Sequence, residues 1–220
     1  TDLEKEEPNA FQIPYFKSLC YIGKRNFEQA KISVARAVEL KPSFIKAVML
    51  RAELYLRENS FDLAILEASN GIKLVPQNTR LRMIRAQGYL GSGKIKQAEA
   101  ELQEIIELDP ENPLPLFRLG RIKFAKKEFD EAKEYYDKAY QLHEKLAQVF
   151  LEKINYYLVK KEFDQALELC SKQLDIYADN KNSLAFVHNV QSQVYLAKKQ
   201  KDEARKSILS AIEIEPEYIK

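Results

Sequence analysis

AKISVARAVELKP, residues 30–42, is followed 34 residues later by AILEASNGIKLVP, residues 64–76, and after the same step by AEAELQEIIELDP, residues 98–110. Alanine opens each stretch and proline closes it. The proline column contains Pro8, Pro42, Pro76 and Pro110, and the alanine column contains Ala30, Ala64, Ala98, Ala132 and Ala166. A period of roughly 20–50 residues indicates a repeat protein, in which each unit buries its apolar face against its neighbours.

Aromatic residues follow the same period. The tyrosine column contains Tyr21, Tyr55, Tyr89 and Tyr157, with Lys123 in the gap. After Ala166 the phase slips by four residues, and it resumes at Tyr195, Ala204 and Pro216. Four residues are about one helical turn, so we expect the second helix of the fifth repeat to be longer than the others. The sequence therefore predicts six repeats.

Each repeat is expected to form two antiparallel helices. In repeat 2, apolar residues recur at helical spacing on both sides of Glu58–Ser60, which interrupts the pattern. Ser43 is predicted to cap the first helix of that repeat. Asn112-Pro113 opens repeat 4 with a cap followed by the proline that a first turn tolerates. The small residues of the alanine column are expected where two helices cross closely.

These columns resemble the tetratricopeptide repeat family over essentially the whole chain. Repeat 1 supplies the family's small residues, tyrosine and closing proline as Ser18, Tyr21, Ala30, Ala37 and Pro42. Where the family has leucine before the first small residue, only Leu119 keeps it, and the other repeats have Lys17, Arg51, Arg85, Lys153 and Gln191. Repeat 5 is the least regular, with Ile154 and Gln173 at small positions and Ala178 in place of proline. The resemblance implies an all-α fold, a right-handed superhelical solenoid of antiparallel helix pairs with about twelve helices.

The repeats divide the chain into consecutive segments of one continuous solenoid domain. Residues 1–10 are expected to be the tail of a preceding repeat or a linker, and the six repeats are placed at 11–44, 45–78, 79–112, 113–146, 147–184 with the insertion, and 185–218. Leu3–Pro8 parallels Ala37–Pro42, and Glu215–Lys220 parallels Lys41–Lys46, so we expect further repeats or a capping helix on both sides. The last helix carries the apolar residues Ile208, Leu209, Ile212 and Ile214, which are expected to favour end-to-end contacts between molecules.

The composition is that of a folded protein without a dominant charge. Hydrophobic residues make up 45% and charged residues 31%, and the net charge is +2. These mixed charges supply no field that would recruit nucleic acid or an anionic membrane, and no apolar run is long enough to span a bilayer. Cys20 and Cys170 are expected to pack as apolar residues on helices rather than form a disulfide framework. We favour a cytoplasmic location and leave the periplasm open for a parent protein with a signal peptide.

No motif predicts catalysis, a metal site or a cofactor. Gly88–Ile95 nearly matches a phosphate-binding loop, but Ile95 stands where Ser or Thr would reach magnesium, and no strand is expected before it. We interpret this segment as the turn between the two helices of repeat 3. His143 and His188 have no cysteine or carboxylate cluster at ligand spacing.

Basic pairs mark the turns inside several repeats: Lys24-Arg25, Lys126-Lys127, Lys160-Lys161 and Lys198-Lys199. They could form a basic ridge for an acidic partner or for nucleic acid. We favour a local interpretation, because cations stabilise helix C-termini through the helix dipole.

One further column is a candidate partner-binding groove. At 34-residue steps it contains Tyr15, Met49, Met83, Phe117 and Leu151, followed by Asn189 after the slip. In the family, first helices line the concave face, so the resemblance places this column in the groove, together with Lys46, Arg80, Arg118, Arg121 and Asn155. Methionine suits adaptable binding surfaces. The alternative is that these apolar residues pack between repeats. The Lys-Asn pattern by which some relatives bind chaperone C-termini is absent, since Tyr15, Leu19 and Leu50 occupy those places.

The sequence thus predicts a protein–protein interaction scaffold that holds a partner segment with apolar and acidic residues in its groove. The alternative is a structural spacer or self-assembling module of a larger multidomain protein. We expect no enzyme activity, cofactor, metal or nucleic-acid ligand.

Overall fold

The computed structural model describes residues 10–216, and every regular element in that range is a helix. The first and second helices of the six repeats are α1 Gln12–Gly23, α2 Phe27–Leu40, α3 Ile45–Arg57, α4 Phe61–Leu74, α5 Thr79–Gly91, α6 Ile95–Leu108, α7 Pro113–Ala125, α8 Phe129–Leu142, α9 Ala147–Lys160, α10 Phe163–Ile176, α11 Lys181–Ala197 and α12 Lys201–Ile214. The predicted all-α class with twelve helices is confirmed for this range. The parallels that we drew for Leu3–Pro8 and for residues 217–220 lie outside it.

The helices form two compact units, Thr1–Pro110 with α1–α6 and Glu111–Lys220 with α7–α12. Within each unit, a second helix contacts the first helix of its own repeat and the first helix of the next repeat. First helices of neighbouring repeats also touch, as α3 and α5 do in unit 1 and α7 and α9 do in unit 2. This stacking brings the first helices of a unit side by side.

Helix starts follow packing as much as capping. The prediction for Asn112 is confirmed, because its Oδ1 accepts a hydrogen bond from the Leu114 N–H at 3.1 Å, and Pro113 is the first helical residue. The prediction for Ser43 is wrong: the N-cap of α3 is Phe44, which offers no side-chain hydrogen bond. The Phe44 ring instead meets the edge of the Tyr15 ring at a centroid distance of 5.0 Å. An aromatic contact, rather than a serine cap, therefore stands at the start of α3.

The four-residue insertion lengthens α11, not the second helix of repeat 5. The second helix α10 has 14 residues, as do the other second helices, whereas α11 has 17 and the other first helices have 12 to 14. Our expectation for the second helix was therefore wrong. Asn180 explains the difference, since its Oδ1 accepts a hydrogen bond from the Ser183 N–H at 2.9 Å and starts the helix there. The extra residues then form one more turn of α11.

Two of the polar residues that replace the family's leucine form ion pairs across the two helices of their repeat. Arg51 Nη2 lies 2.5 Å from Glu67 Oε2, and Arg85 Nη2 lies 2.5 Å from Glu101 Oε2. Both pairs are 16 residues apart in the chain. Repeat 4, which keeps Leu119, has the half-buried Tyr135 at the matching place on α8. Between repeats 2 and 3 on one side and repeat 4 on the other, the two positions therefore change together, from an ion pair to an apolar pair.

The close helix crossing in repeat 4 depends on a glycine. A Cβ atom added at Gly120 would lie 2.6 Å from ring atoms of Tyr136, and Tyr136 is only 1% exposed. Repeat 3 fills the same crossing with Ala86 and Leu102, both fully buried. A large second-helix residue thus requires a smaller first-helix residue.

Gly120→Ala is expected to lower the free energy of unfolding by about 1–2 kcal/mol, because overpacking against the Tyr136 ring outweighs the roughly 1 kcal/mol that alanine contributes in a helix. Urea denaturation measures this change. The Gly120→Ala, Tyr136→Leu double variant reproduces the pair of repeat 3 and should recover most of the loss. An unchanged midpoint for the single variant would show that the crossing is not tight.

Candidate protein-binding surface

The predicted groove residues of unit 1 lie on three first helices. They are Tyr15 on α1, Lys46 and Met49 on α3, and Arg80 and Met83 on α5. Tyr15 and Met49 pack against the hydrophobic core of the unit and are half-buried, as is Met83. Lys46 and Arg80 are exposed. The apolar part of the column therefore contributes to packing in unit 1 while one side of it stays accessible.

Arg80 already has an anionic partner. Its Nε and Nη2 both donate to Glu53 Oε1, at 3.1 and 2.8 Å. Glu53 lies on α3, so this ion pair joins two neighbouring first helices. The guanidinium of Arg80 is therefore neutralised within the protein.

The predicted groove residues of unit 2 differ widely in accessibility. Phe117 on α7 is buried at 7% exposure, whereas Leu151 on α9 is 40% exposed and Asn155, one turn further along, is also exposed. Asn189 on α11 is half-buried, and its Oδ1 accepts a hydrogen bond from Gln193 Nε2 at 3.2 Å. Leu151 and Asn155 are the uncharged members of this set that offer most surface to a ligand.

An ion pair connects α7 with α9. Arg121 Nε lies 3.2 Å from Glu152 Oε1, and the Arg121 guanidinium also stands 6.0 Å from the centre of the Phe117 ring. The hydroxyl of Tyr136 is buried near both charges and has no hydrogen-bond partner among the described residues. Burial raises the pKa of Tyr136, the negative charge of Glu152 raises it further, and Arg121 opposes both effects. Arg121 and Glu152 thus form a polar junction between two first helices.

Arg118 is a half-buried cation without a partner among residues 10–216. Its Nε is buried and makes no hydrogen bond, and no carboxylate of residues 10–216 forms an ion pair with it. Burial lowers the pKa of Arg118, and the like charge of Arg121 lowers it further. A guanidinium nevertheless remains protonated in proteins. The structure therefore holds a positive charge in a place where its own residues do not compensate it.

Three exposed apolar residues of unit 2 were missing from the sequence-based site. Leu114 on α7, Val159 on α9 and Leu196 on α11 are 38%, 50% and 53% exposed. Leu196 had a detectable signal, because apolar residues recur at its position in every repeat: Ile22, Leu56, Leu90, Phe124 and Leu158. Val159 had none, since small or charged residues occupy its position in the other repeats.

The segment that resembles a phosphate-binding loop, Gly88–Ile95, spans the last turn of α5, the connection to α6 and the first residue of α6. Gly93 has a φ of +71°, and Lys94 Nζ pairs with Asp62 Oδ1 at 2.7 Å. The interpretation as a turn is confirmed. In residues 10–216 there is no cluster of three His, Cys, Asp or Glu side chains that could hold a metal ion, and none of the helices there is long and apolar enough to cross a membrane.

The two cysteines have different environments. Cys170 is fully buried, which raises the pKa of its thiol to about 12. Cys20 is exposed, so the expectation that both cysteines fill space was wrong for Cys20. The residues at the same position of later repeats in unit 1, Leu54 and Gly88, are buried.

Models of the tetratricopeptide repeat match residues 13–44, 89–140 and 187–218, which is more than half of the chain. The chain therefore belongs to the tetratricopeptide repeat family, whose repeats generally serve as non-enzymatic scaffolds for protein–protein interaction. The predicted family and the general role of interaction scaffold are confirmed. No curated protein matches the chain.

Solved structures share the fold at low sequence identity. A chain of the APC/C hetero-tetramer Cut9–Hcn1 is 22% identical with a TM-score of 0.71, over 98% of this chain and 42% of that one, so this chain spans less than half of that relative. PilF of Pseudomonas aeruginosa is 23% identical with a TM-score of 0.69, over 96% and 94% of the two chains. YrrB, described as a tetratricopeptide repeat protein with an unusual peptide-binding site, is 16% identical with a TM-score of 0.55, over 84% and 94%. These identities establish the solenoid fold alone.

Proposed function

We propose that this scaffold binds a partner segment along the first helices of unit 2, with an acidic side chain at Arg118 and apolar side chains over α9. The observation that carries the proposal is the uncompensated charge of Arg118. The ligand is a peptide or a protein surface that combines one carboxylate with neighbouring aliphatic or aromatic residues.

The charge balance around Arg118 favours an external anion. Partial burial of a charge without a partner carries a desolvation penalty, which a bound counter-charge would offset. Arg121 cannot compensate Arg118, because it carries the same charge and is committed to Glu152. A carboxylate from a partner would accept hydrogen bonds from the guanidinium and remove this penalty on binding.

The apolar contact surface next to it is provided by α9. Leu151, Asn155 and Val159 recur every four residues, so they lie along one face of the helix. Two aliphatic side chains that are 40% and 50% exposed flank one amide, which can hydrogen-bond the backbone of an extended or helical segment. Because α7 and α9 touch, this row and Arg118 belong to adjacent helices.

Unit 1 offers a weaker site for an acidic segment. Lys46 and Arg80 are the predicted groove cations there. Lys46 is exposed, and Glu53 already neutralises Arg80. The peptide-binding site in the name of YrrB concerns a protein of the same fold and supports peptide recognition as the general mode.

The test uses a displayed library of random peptides selected on the intact chain. Selected peptides should be enriched in Asp or Glu next to Leu, Ile or Phe. Arg118→Gln should weaken their binding about 10–100-fold, the effect of deleting one partner of a desolvated charge pair. Arg80→Gln is the matched control and should leave affinity within about twofold, since its charge is already paired.

Stability provides a second readout of the same variant. Arg118→Gln removes an uncompensated cation, so its thermal midpoint should be equal to or higher than that of the original chain. Loss of binding without loss of stability distinguishes a recognition residue from a structural one. Equal peptide affinity for Arg118→Gln and the original chain would contradict the proposal.

A further inference from the structure

We infer that a partner's carboxylate bound at Arg118 also takes Arg121 away from Glu152. Glu152 then accepts a hydrogen bond from the hydroxyl of Tyr136, which is buried near this ion pair. This partner exchange rests on the proposed function and extends the acid-binding site from one arginine to four residues. It makes Tyr136 a determinant of affinity although the partner does not touch it.

The hydroxyl of Tyr136 is held in place without a partner. The residue is 1% exposed, and its hydroxyl forms no hydrogen bond within residues 10–216. The ring lies so close to α7 that a Cβ atom added at Gly120 would be 2.6 Å from it. Close packing of this kind keeps a side chain in one position. An acceptor therefore has to move to the hydroxyl, because the hydroxyl cannot move to an acceptor.

Glu152 is a carboxylate that can become this acceptor. The charge of Glu152 raises the pKa of Tyr136 and the charge of Arg121 lowers it, so both side chains lie near the hydroxyl. The Glu152 side chain is 25% exposed and is held by one contact, 3.2 Å from its Oε1 to Arg121 Nε. No other described residue forms an ion pair with it. A small rotation of this side chain would exchange the arginine for the tyrosine.

Arg121 is placed to share an acid with Arg118. The two residues are three apart on α7, so their side chains are neighbours on the helix surface. Their proximity has an electrostatic effect, since the charge of Arg121 lowers the pKa of Arg118. The Arg121 side chain is 59% exposed and therefore accessible to a ligand. A carboxylate between the two guanidinium groups would offset their repulsion and accept hydrogen bonds from both.

The exchange replaces a weak contact with stronger ones. The Arg121–Glu152 pair is exposed on the arginine side, and exposed ion pairs contribute little to stability. The bound carboxylate offsets the desolvation penalty of Arg118, and a hydrogen bond from Tyr136 to a carboxylate is of the stronger, charge-assisted kind. Rotation of Glu152 toward Tyr136 also moves its negative charge away from the place where the incoming acid binds.

The exchange is tested first without a ligand, because Arg121→Gln releases Glu152 as a bound acid would. Tyr136→Phe alone should leave the thermal midpoint unchanged or raise it, since it removes a hydroxyl without a partner. In the Arg121→Gln background, the same substitution should lower the midpoint by about 2–4 °C, because the hydroxyl is then bonded to Glu152.

Tyr140→Phe is the matched control on the same helix. The Tyr140 hydroxyl is buried and already donates to Gln173 Oε1 at 2.9 Å. Its removal should therefore lower the thermal midpoint equally with and without Arg121→Gln. An effect of Tyr136→Phe that is the same in both backgrounds overturns the exchange.

Peptide affinity gives the second readout, with the tightest-binding peptide from the library selection as the probe. Tyr136→Phe should weaken its binding about 10-fold, the effect of one hydrogen bond to a charged group, and Tyr140→Phe should leave it unchanged. In the Arg121→Gln background, Tyr136→Phe should have no further effect, because Glu152 is bonded to the hydroxyl before the peptide arrives.

The variants separate the exchange from the proposed function. Equal affinity of the probe for Arg118→Gln and the original chain overturns both. Weaker binding by Arg118→Gln together with unchanged binding by Tyr136→Phe overturns the exchange alone and leaves the acid-binding site in place.

Discussion

Glu101→Leu is expected to lower the free energy of unfolding by about 3–5 kcal/mol, the largest loss that we predict for one substitution. The Glu101 side chain is only 7% exposed and accepts hydrogen bonds from both Arg85 and Arg82, whose side chains are 19% and 15% exposed. Leucine would leave two poorly hydrated guanidinium groups without their shared carboxylate. Chemical denaturation of the intact chain measures the change.

Repeat 4 supplies the compensating variant for this test. The Arg85→Leu, Glu101→Tyr double variant introduces the residues that Leu119 and Tyr135 place at the same positions. It should recover more than half of the loss, because apolar residues can replace a buried ion pair without penalty. Arg82 would still have partners in the double variant, because its Nε donates to the Pro76 carbonyl at 3.1 Å and its Nη2 lies 3.8 Å from Glu104 Oε2. A double variant as unstable as Glu101→Leu would show that the two positions are not coupled.

The sequence predicts the helices well because the columns encode packing. Ala30, Ala64, Ala98, Ala132 and Ala166 are all fully buried, so the requirement for a small residue at a helix crossing is visible as a period in the chain. The departures from the family's pattern also follow a rule. Arg51 and Arg85, which break the family pattern, are each matched by a glutamate 16 residues later.

Features that depend on a single neighbour could not be predicted in this way. The start of α3 is set by contact between Phe44 and Tyr15, and the extra turn of α11 by the cap at Asn180. The Phe44 contact is a local outcome that no column repeats. The cap at Asn180 does recur, because Asn78 and Asn112 cap α5 and α7 on the same 34-residue register, but the sequence analysis used only Asn112. Arg118 was named as a groove cation, but its lack of a partner depends on which carboxylates reach it in three dimensions. That information lies in the packing of α7 and α9 rather than in spacing along the chain.

The turns between the two helices of each repeat share a left-handed backbone conformation, which the basic pairs in the sequence do not reveal. Residues at one position have left-handed backbone conformation in all six repeats: Arg25, Asn59, Gly93, Lys127, Lys161 and Lys199, with φ between 57° and 71°. The cations at this position therefore occupy a conformation that favours glycine. A residue next to this position can form a contact with the preceding repeat, as where Lys198 Nζ pairs with Asp164 Oδ1 of α10 at 2.6 Å.

Replacing four of these residues with glycine should stabilise the protein by about 2–4 kcal/mol. A side chain in the left-handed region costs about 1–2 kcal/mol, and glycine removes this strain. Glycine also makes the unfolded chain more flexible, and this entropy offsets roughly half of the stabilisation. Each of Arg25→Gly, Lys127→Gly, Lys161→Gly and Lys199→Gly is thus expected to contribute about 0.5–1 kcal/mol. The four sites are in different repeats, so their effects should add.

Thermal and urea unfolding of the fourfold variant measure the increase in the free energy of unfolding, and two further substitutions serve as controls. Gly93→Lys creates the strained conformation in the one repeat that avoids it and should destabilise the protein by about 0.5–1 kcal/mol. Lys126→Gly, at a right-handed residue with φ −77°, should not stabilise it, because glycine there offers only added freedom to the unfolded chain. Equal effects of Lys126→Gly and Lys127→Gly would mean that charge, and not backbone conformation, controls the stability of these turns.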